Sequence, residues 1–324
     1  MPSLARLAIL DDYQGATLER GPWDSLPGLE KTVFQDTLTD QNALAARLEP
    51  FDGILAMRER TPINRALIER LPNLKLLMTT GERNRGIDAA ACAERGISFC
   101  GTSSSGAPTV DITWGLILNL MRGLPEQQDN LRAGRWQQML GAGHLGRTIE
   151  GKTLGVVGLG KLGGRVARVA QAFGMQVIAW SQNLTDEAAT AAGATRVAKE
   201  ELFRRADVVS LHLILSDRSR GIVDAAELAL MKAEAIIVNT SRGPLIDQPA
   251  LIAALTEGRI AGAGIDVFDQ EPLPPDHPIL AAPRTMLLPH LGYVSEENYA
   301  AYFKGAVEAI EAWQAGTPIR VISA

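Results

Sequence analysis

Three polar residues follow short apolar runs typical of buried strands, and each is of a type that can do chemistry. Arg242 follows the run Ala235–Asn239, His290 follows Thr285–Leu288, and Glu271 lies just beyond another apolar run between them. Carboxyl ends of strands in an open α/β sheet form its ligand-binding edge, so the three side chains can converge there. A guanidinium can bind an anion and an imidazole can transfer a proton near neutral pH. Taken singly, each residue is equally compatible with a surface charge or a salt bridge.

A glycine-rich turn in the stretch Thr153–Trp180 supplies a second signal. This stretch predicts a strand, the turn GLGKLG at residues 158–163, a helix and a second strand. Gly158 permits the tight turn, Gly160 lets the backbone approach a pyrophosphate, and Gly163 lets the helix pack closely on the strand. The helix N-terminus adds N–H groups for the phosphates, and an ordinary turn is the alternative. The candidate cofactor-binding residues in this turn are Gly158, Gly160, Lys161, Leu162 and Gly163.

The end of the second strand leaves NAD and NADP both open. A carboxylate there would bind the ribose 2′-OH and select NAD. The chain has Ser181 instead, followed by Gln182 and Asn183, and Asp186 lies further on. No arginine follows at once to bind a 2′-phosphate. We therefore expect a nicotinamide cofactor, NAD or NADP, with Ser181 at its adenosine ribose.

The other three histidines receive different interpretations. His212 ends a predicted strand and is expected to line the cofactor crevice. His144 lies among glycines and is interpreted as structural or interfacial, and His277 lies in a proline-rich loop as a solvated side chain.

Length and composition favour a soluble cytoplasmic α/β protein with two domains. The chain has 324 residues, 31 glycines, 46% hydrophobic residues and a formal charge of −5, which gives no support to a nucleic-acid or membrane-surface role. Cys92 and Cys100 are expected to be buried rather than to form a disulfide framework. No metal site is expected.

Alternating strands and helices predict a small parallel-sheet domain in the first hundred residues. The predicted strands there are Leu4–Leu10, Thr32–Phe34, Asp52–Met57, Leu74–Met78 and Ile97–Cys100. The predicted helices are Asp40–Leu48, Thr61–Leu71 (with Thr61 as N-cap) and Asp88–Arg95. The segment Gly101–Pro108 is a candidate hinge. Beyond Trp180, strands are predicted at Val208–Leu215, Ala235–Asn239, Ile260–Val267 and Thr285–Leu288, and the tail Ser295–Gly316 predicts one amphipathic helix against the first domain.

Four ordered segments, GLGKLG, NTSRGPLID, GIDVFDQEPLP and LLPHLGYV, resemble the D-isomer-specific 2-hydroxyacid dehydrogenase family over essentially the whole chain. The resemblance implies an α/β protein of two Rossmann-like parallel-sheet domains. A flavodoxin-like substrate domain, residues 1–104 and 294–324, would be split around a central NAD(P)-binding domain, residues 105–293. The resemblance also implies a homodimer, a small 2-oxo or 2-hydroxy acid substrate, and an active site in the cleft between the domains.

The same resemblance implies individual roles. Arg242 is the expected substrate arginine, His290 the acid/base and Glu271 its partner. Glu271 on one ring nitrogen would fix the tautomer and favour the imidazolium. Further expected cofactor contacts are Thr240, Asp266 and Gly292. Further expected substrate contacts are Arg58, Gly81, Glu82, Arg83 and Tyr293, although Glu82 and Arg83 replace the family's usual glycine-rich pattern.

These residues predict an oxidoreductase that transfers a hydride between NAD(P)H and a 2-oxo acid to give a D-2-hydroxy acid. The alternative is a dinucleotide-sensing interaction protein with little turnover, similar to corepressors that resemble this family. The related formate dehydrogenases pair their histidine with glutamine, so Glu271 argues against that activity.

Overall fold

The computed structural model describes residues 3–140 and 145–323, so the interpretation of His144 lies outside the described residues. The chain divides into two compact units, residues 1–105 with 294–324, and residues 106–293. Each unit is built on one parallel sheet with helices, which confirms the predicted fold class. No helix in the described part of the chain is long and apolar enough to cross a membrane.

The elements are numbered in chain order. The strands are β1 (Arg6–Ile9), β2 (Glu30–Val33), β3 (Gly53–Ala56), β4 (Leu76–Thr79), β5 (Ser98–Gly101), β6 (Thr153–Val157), β7 (Gln176–Trp180), β8 (Thr195–Arg196), β9 (Val208–Leu211), β10 (Ile236–Asn239), β11 (Gly262–Ile265) and β12 (Thr285–Leu287). The helices are α1 (Thr17–Arg20), α2 (Gln41–Leu48), α3 (Arg65–Ile68), α4 (Ala89–Glu94), α5 (Ala107–Arg122), α6 (Leu124–Arg132), α7 (Lys161–Ala172), α8 (Asp186–Ala191), α9 (Lys199–Arg205), α10 (Ala225–Leu230), α11 (Gln248–Thr256) and α12 (Glu296–Gln314).

The first unit has the strand order β2-β1-β3-β4-β5, the flavodoxin-like order. Every residue of β3 and β4 is buried, as expected where helices cover both faces of a parallel sheet. The C-terminal helix α12 packs against β4 and β5 of the first unit. Its N-cap is Ser295, whose hydroxyl accepts a hydrogen bond from the Asn298 N–H.

The predicted start of the third helix is wrong. Thr61 does not cap it; the N-cap is Asn64, whose side chain accepts from the Leu67 N–H, and α3 begins at Arg65. The reason is tertiary, because the Ile63 N–H donates to the Gly86 carbonyl and so belongs to a bridge between neighbouring loops. A proline signal in the sequence was therefore overridden by a contact distant in the chain.

The second unit has the strand order β12-β11-β10-β9-β6-β7-β8, which is the Rossmann order extended by one strand. The strand predicted at Val208–Leu215 is shorter than expected, since β9 ends at Leu211 and the chain then leaves the sheet. The sheet places the ends of β10, β11 and β12 side by side, with β9 and β6 next to them.

Candidate active site

The glycine turn after β6 has the geometry that a dinucleotide requires. Gly158 has φ +101°, and a Cβ there would lie 2.7 Å from the His212 carbonyl oxygen. A Cβ on Gly163 would lie 2.1 Å from the Gly158 carbonyl oxygen, so only glycine permits this close packing of α7 on the strand. Gly160 caps α7 without a side-chain hydrogen bond, and a Cβ there would meet no described heavy atom within 4 Å. The turn therefore leaves room for a phosphate beside the N–H groups of α7, where Lys161 and Leu162 stand.

The end of β7 is the predicted place of the adenosine ribose. Ser181 follows β7 directly, is half-buried, and its carbonyl accepts from the Leu184 N–H. Residues 181–185 include no acid. Asp186, the first residue of α8, is 3.5 Å from the Arg196 guanidinium on β8. Ser181 thus follows the strand as the sequence predicts, its contact with the ribose stays a prediction, and the choice between NAD and NADP stays open.

His290 and Glu271 form a direct pair. His290 Nδ1 lies 2.7 Å from Glu271 Oε2, and the side chains are only 16% and 19% exposed. The other carboxylate oxygen of Glu271 accepts from the Phe268 N–H at 2.8 Å. Glu271 is therefore oriented by its own loop and in turn fixes the imidazole. With Nδ1 bonded to the carboxylate, Nε2 is the nitrogen that can exchange a proton with a ligand.

The backbone at His290 is unusual, because its φ is +54°, in the left-handed region that a non-glycine residue rarely adopts. The next two residues hold it there. The Leu291 and Gly292 N–H groups donate to the two carboxylate oxygens of Asp266, at 2.7 and 2.8 Å. Asp266 is fully buried. Of the predicted cofactor contacts, Asp266 and Gly292 thus bond to each other directly.

Arg242 lies in the loop after β10. Its Nη1 donates to the Ser241 carbonyl at 2.7 Å. A Cβ on the next residue, Gly243, would lie 2.1 Å from the Phe268 carbonyl carbon, so the loops after β10 and β11 are in contact. The structure therefore brings the Arg242 and Glu271 loops together at the carboxyl edge of one sheet.

Two threonines on α5 connect the loops of this edge. Thr109 Oγ1 donates to the Gly292 carbonyl at 2.5 Å, and Thr113 Oγ1 lies 2.8 Å from Thr240 Oγ1. The two residues are one helical turn apart and therefore lie on the same side of α5. One face of α5 thus holds both the His290 loop and the Arg242 loop.

Tyr293 and His212 are two further predicted residues of the second unit. Tyr293 is buried, and its ring packs edge-on against the His290 ring with centroids 5.5 Å apart. His212 turns inward, with Nε2 2.8 Å from Ser210 Oγ and no described partner for Nδ1. Burial lowers the pKa of His212 to about 4. His212 is therefore a neutral imidazole at working pH, and its carbonyl, rather than its ring, borders Gly158.

The predicted substrate residues of the first unit form a separate group after β3 and β4. The Arg58 N–H donates to Thr80 Oγ1 at 2.9 Å, and its Nη1 donates to the Thr80 carbonyl at 3.1 Å. A Cβ on Gly81 would lie 1.9 Å from Arg58 Nη1, so glycine leaves the space that the guanidinium occupies. Glu82 and Arg83 are exposed on the same loop.

Other candidate chemistry finds no support in the described residues. No group of histidine, cysteine, aspartate or glutamate side chains in residues 3–140 and 145–323 is arranged to hold a metal ion. Both cysteines are buried, and burial raises the pKa of Cys92 to about 11 and also raises that of Cys100. His277 is half-buried, and its Nδ1 accepts from the Ile279 N–H. None of these groups is an activated nucleophile.

The sequence interpretation missed residues that support the site rather than form it. Asn239, Ser241, Thr109 and Thr113 were not singled out, although each is a polar residue in or beside an apolar run. A buried polar side chain needs a hydrogen-bond partner, so a polar residue within an apolar run could have indicated a residue that supports the site. Its partner could not be known without the loop geometry.

A parallel sheet of this order with this glycine turn defines a dinucleotide-binding protein of the Rossmann class. Residues 114–292 match the family model described as D-isomer specific 2-hydroxyacid dehydrogenase, NAD binding domain. The glyoxylate reductase of Aeropyrum pernix is 36% identical over 257 residues, 77% of this chain and 76% of that protein. The glyoxylate reductase of Korarchaeum cryptofilum is 33% identical over 283 residues, 85% and 83% of the two chains. A phosphoglycerate oxidoreductase from Vibrio cholerae has a similar crystal structure, with a TM-score of 0.90, 39% identity, and coverage of 96% of this chain and 99% of that one.

The chain belongs to the D-isomer-specific 2-hydroxyacid dehydrogenase family. As the enzymes of this family do, it uses NAD or NADP, and it acts on small 2-oxo and 2-hydroxy acids.

Proposed function

We propose that this protein reduces a 2-oxo acid to the D-2-hydroxy acid, reversibly, with His290 as acid/base, Glu271 as its partner and Arg242 as the substrate-binding residue. The observation that carries the proposal is the 2.7 Å contact between His290 Nδ1 and Glu271 Oε2, on strand ends beside the Arg242 loop.

Arg242 is suited to hold the substrate because a 2-oxo acid presents a carboxylate and a carbonyl close together. The planar guanidinium fork can donate to both groups, which fixes the face of the carbonyl that is reduced. The bond from Nη1 to the Ser241 carbonyl holds the guanidinium against its own loop and limits its rotation. Arg242 therefore binds and orients the substrate, and its positive charge stabilises the developing alkoxide.

His290 supplies the proton. When the carbonyl oxygen gains negative charge, a protonated imidazole can donate from Nε2, and in the reverse direction neutral imidazole accepts the proton. Glu271 favours the protonated form because an adjacent carboxylate stabilises the cation. Tyr293 closes one side of the imidazole and keeps its ring orientation.

The nicotinamide cofactor supplies the hydride when bound. Gly158, Gly160, Lys161, Leu162 and Gly163 would hold its pyrophosphate, and Ser181 its adenosine ribose. Thr240, Asp266, Gly292 and His212 complete the predicted cofactor set. Asp266 acts through the Leu291 and Gly292 N–H groups that it binds, and His212 acts through its backbone carbonyl beside Gly158, because its ring bonds to Ser210.

The remaining predicted substrate residues, Arg58, Gly81, Glu82 and Arg83, belong to the first unit, and their role in substrate binding stays a prediction. Two of the similar proteins are named glyoxylate reductases, and a small 2-oxo acid is therefore the class that we propose to test first.

A homodimer remains part of the proposal. Exposed apolar side chains on α6 and the segment after it support an interface with a second copy: Leu131 is 58% exposed, Trp136 72% and Met139 56%. Light scattering coupled to size exclusion tests this, with Trp136→Ser expected to weaken the dimer and a monomeric wild type contradicting it.

The experiment that tests the proposal follows the loss of reduced-nicotinamide absorbance with NADH and NADPH separately. The substrate panel is glyoxylate, hydroxypyruvate, pyruvate, phenylpyruvate and 2-oxoisocaproate, and chiral separation identifies the product. We expect turnover of at least one acid to the D-product, together with loss of turnover in His290→Ala despite retained cofactor binding. Cofactor binding without turnover across the panel would contradict the proposal and favour a dinucleotide-sensing role.

A further inference from the structure

The side chain of Asn239 closes the loop that carries Arg242. Asn239 is the last residue of β10 and is 1% exposed. Its Nδ2 donates to the Arg242 carbonyl at 2.8 Å, and its Oδ1 accepts from the Ser241 N–H at 3.0 Å. One amide group thus uses both its donor and its acceptor on the two residues that flank a single peptide bond.

That peptide bond is the one that orients the guanidinium. The carbonyl of Ser241 accepts from Arg242 Nη1 at 2.7 Å, so the direction of the carbonyl sets the direction of the side chain. Ser241 Oγ adds an anchor to the neighbouring strand by donating to the Leu211 carbonyl at 2.7 Å. Asn239 therefore connects to the guanidinium through two hydrogen-bonded steps.

We propose that Asn239 is the positioning residue for Arg242 in substrate binding, acting through the Ser241–Arg242 peptide; the inference rests on the proposed role of Arg242. A side chain without both a donor and an acceptor cannot replace it. Alanine loses both bonds and leaves the Ser241 N–H without its partner, whereas aspartate keeps the acceptor and loses the donor.

Asn239 is expected to affect the binding of the substrate and not that of the cofactor. Asn239 contacts the backbone of Ser241 and Arg242. Thr240, the predicted cofactor contact in the same loop, has its own side-chain contact with Thr113 Oγ1 at 2.8 Å, and the glycine turn after β6 lies two strands away in the sheet. Loss of Asn239 should therefore weaken the hold on the oxo acid and spare the cofactor. It should also have no effect where Arg242 is already absent.

The experiment is a double-mutant cycle of Asn239→Ala and Arg242→Ala, with Asn239→Asp as an intermediate variant. The matched control is Asn119→Ala, which removes another amide bonded to a backbone carbonyl, that of Gly115 in α5. For the best oxo acid of the panel, we expect Asn239→Ala to raise KM about tenfold, since both hydrogen bonds from its side chain to the loop are lost. We expect a smaller rise for Asn239→Asp, none for Asn119→Ala, and an unchanged Kd for NADH in all of them.

The decisive result is the behaviour in the Arg242→Ala background. There, Asn239→Ala should change kcat/KM by less than about twofold, because the residue through which it acts is gone. An equal loss of kcat/KM in both backgrounds, or a higher Kd for NADH, would overturn the proposal and leave Asn239 with a structural role only.

Hydrogen exchange supplies a readout independent of turnover. Amide exchange over residues 240–245 should accelerate in Asn239→Ala and stay unchanged in Asn119→Ala. If wild type turns over no oxo acid, the proposed function fails on its own panel, while unchanged exchange in this segment would separately disprove the positioning role. A variant that fails to fold is replaced by Asn239→Asp in both measurements, with the same two outcomes.

Discussion

Two imidazoles stand at strand ends of the same sheet, and their surroundings differ in one decisive respect. His290, after β12, is bonded to a carboxylate, with Nδ1 2.7 Å from Glu271 Oε2. His212, after β9, is bonded to a hydroxyl, with Nε2 2.8 Å from Ser210 Oγ. Burial without a negative partner lowers the pKa of His212 to about 4.

We infer from this comparison that the partner, rather than the place in the fold, decides whether a strand-end histidine can carry a proton. A carboxylate stabilises the imidazolium, whereas a hydroxyl serves a neutral ring and leaves desolvation unopposed. A second carboxylate holds the backbone at His290. The buried Asp266 side chain accepts from the two N–H groups that follow the residue, whose φ is +54°.

The largest expected effect comes from removing the protonatable imidazole. His290→Ala should lower kcat about 10²–10⁴-fold, the usual contribution of a general acid/base, while the Kd for NADH stays within about twofold. The companion variant His212→Asn should keep most of the turnover. Similar losses of kcat in both variants would remove the functional distinction between the two histidines.

Arg242→Ala should have the next largest effect on turnover. Loss of the charge-assisted contact to the substrate carboxylate, ~3 kcal/mol, corresponds to about a 10²-fold fall in kcat/KM. Arg242→Lys should fall less, because an ammonium keeps the charge but not the planar fork. Steady-state kinetics with the best oxo acid measures both, and full activity of Arg242→Ala would refute its assignment.

Glu271→Gln makes the surroundings of His290 resemble those of His212. The amide cannot stabilise the imidazolium as a carboxylate does, so reduction should slow about tenfold at neutral pH. The alkaline limb of the pH–rate profile should move to lower pH. A profile that coincides with wild type would show that the carboxylate does not act through the imidazole.

His212 should make the free energy of unfolding depend on pH in the acid range. Its pKa is lowered from 6.5 unfolded to about 4 folded, so above pH 6.5 the ring is neutral in both states and contributes no pH dependence. Between these values the unfolded ring binds a proton that the folded ring refuses, and stability falls with falling pH, by up to about 3 kcal/mol.

Urea denaturation of wild type and His212→Asn at about pH 7.5 and about pH 5 measures this loss. The variant should lose less stability on acidification than wild type. The control His277→Asn, which removes a histidine from a surface turn, should behave as wild type does. Identical acid sensitivity of wild type and His212→Asn would show that His212 takes up its proton without unfolding.

Much of this site could be predicted because its residues lie in short ordered segments. The turn at Gly158–Gly163 sits between a strand and a helix, and Arg242, Glu271 and His290 follow apolar runs, so pattern alone placed them at one sheet edge. The alternation of strands and helices also predicted a parallel sheet.

The rest depended on contacts distant in the chain. Asn64 rather than Thr61 caps α3 because the Ile63 N–H is used in a bridge to Gly86. The sequence could not predict that the His212 ring points inward to Ser210, because a histidine at a strand end gives the same pattern whichever way its ring points. Short helices such as α9 were also hard to predict. The acidic residues Glu200 and Glu201 in its first turn favour a helix start, but the helix is too short for a clear apolar periodicity.

Nuclear magnetic resonance titration of ring-labelled histidines tests the central distinction most directly. His212→Asn and His277→Asn assign the signals, and Glu271→Gln supplies the comparison. We expect His212 to stay neutral down to about pH 5, and His290 to titrate at higher pH in wild type than in Glu271→Gln. A His290 signal that titrates identically in both proteins, or a His212 signal that protonates first, would contradict the account.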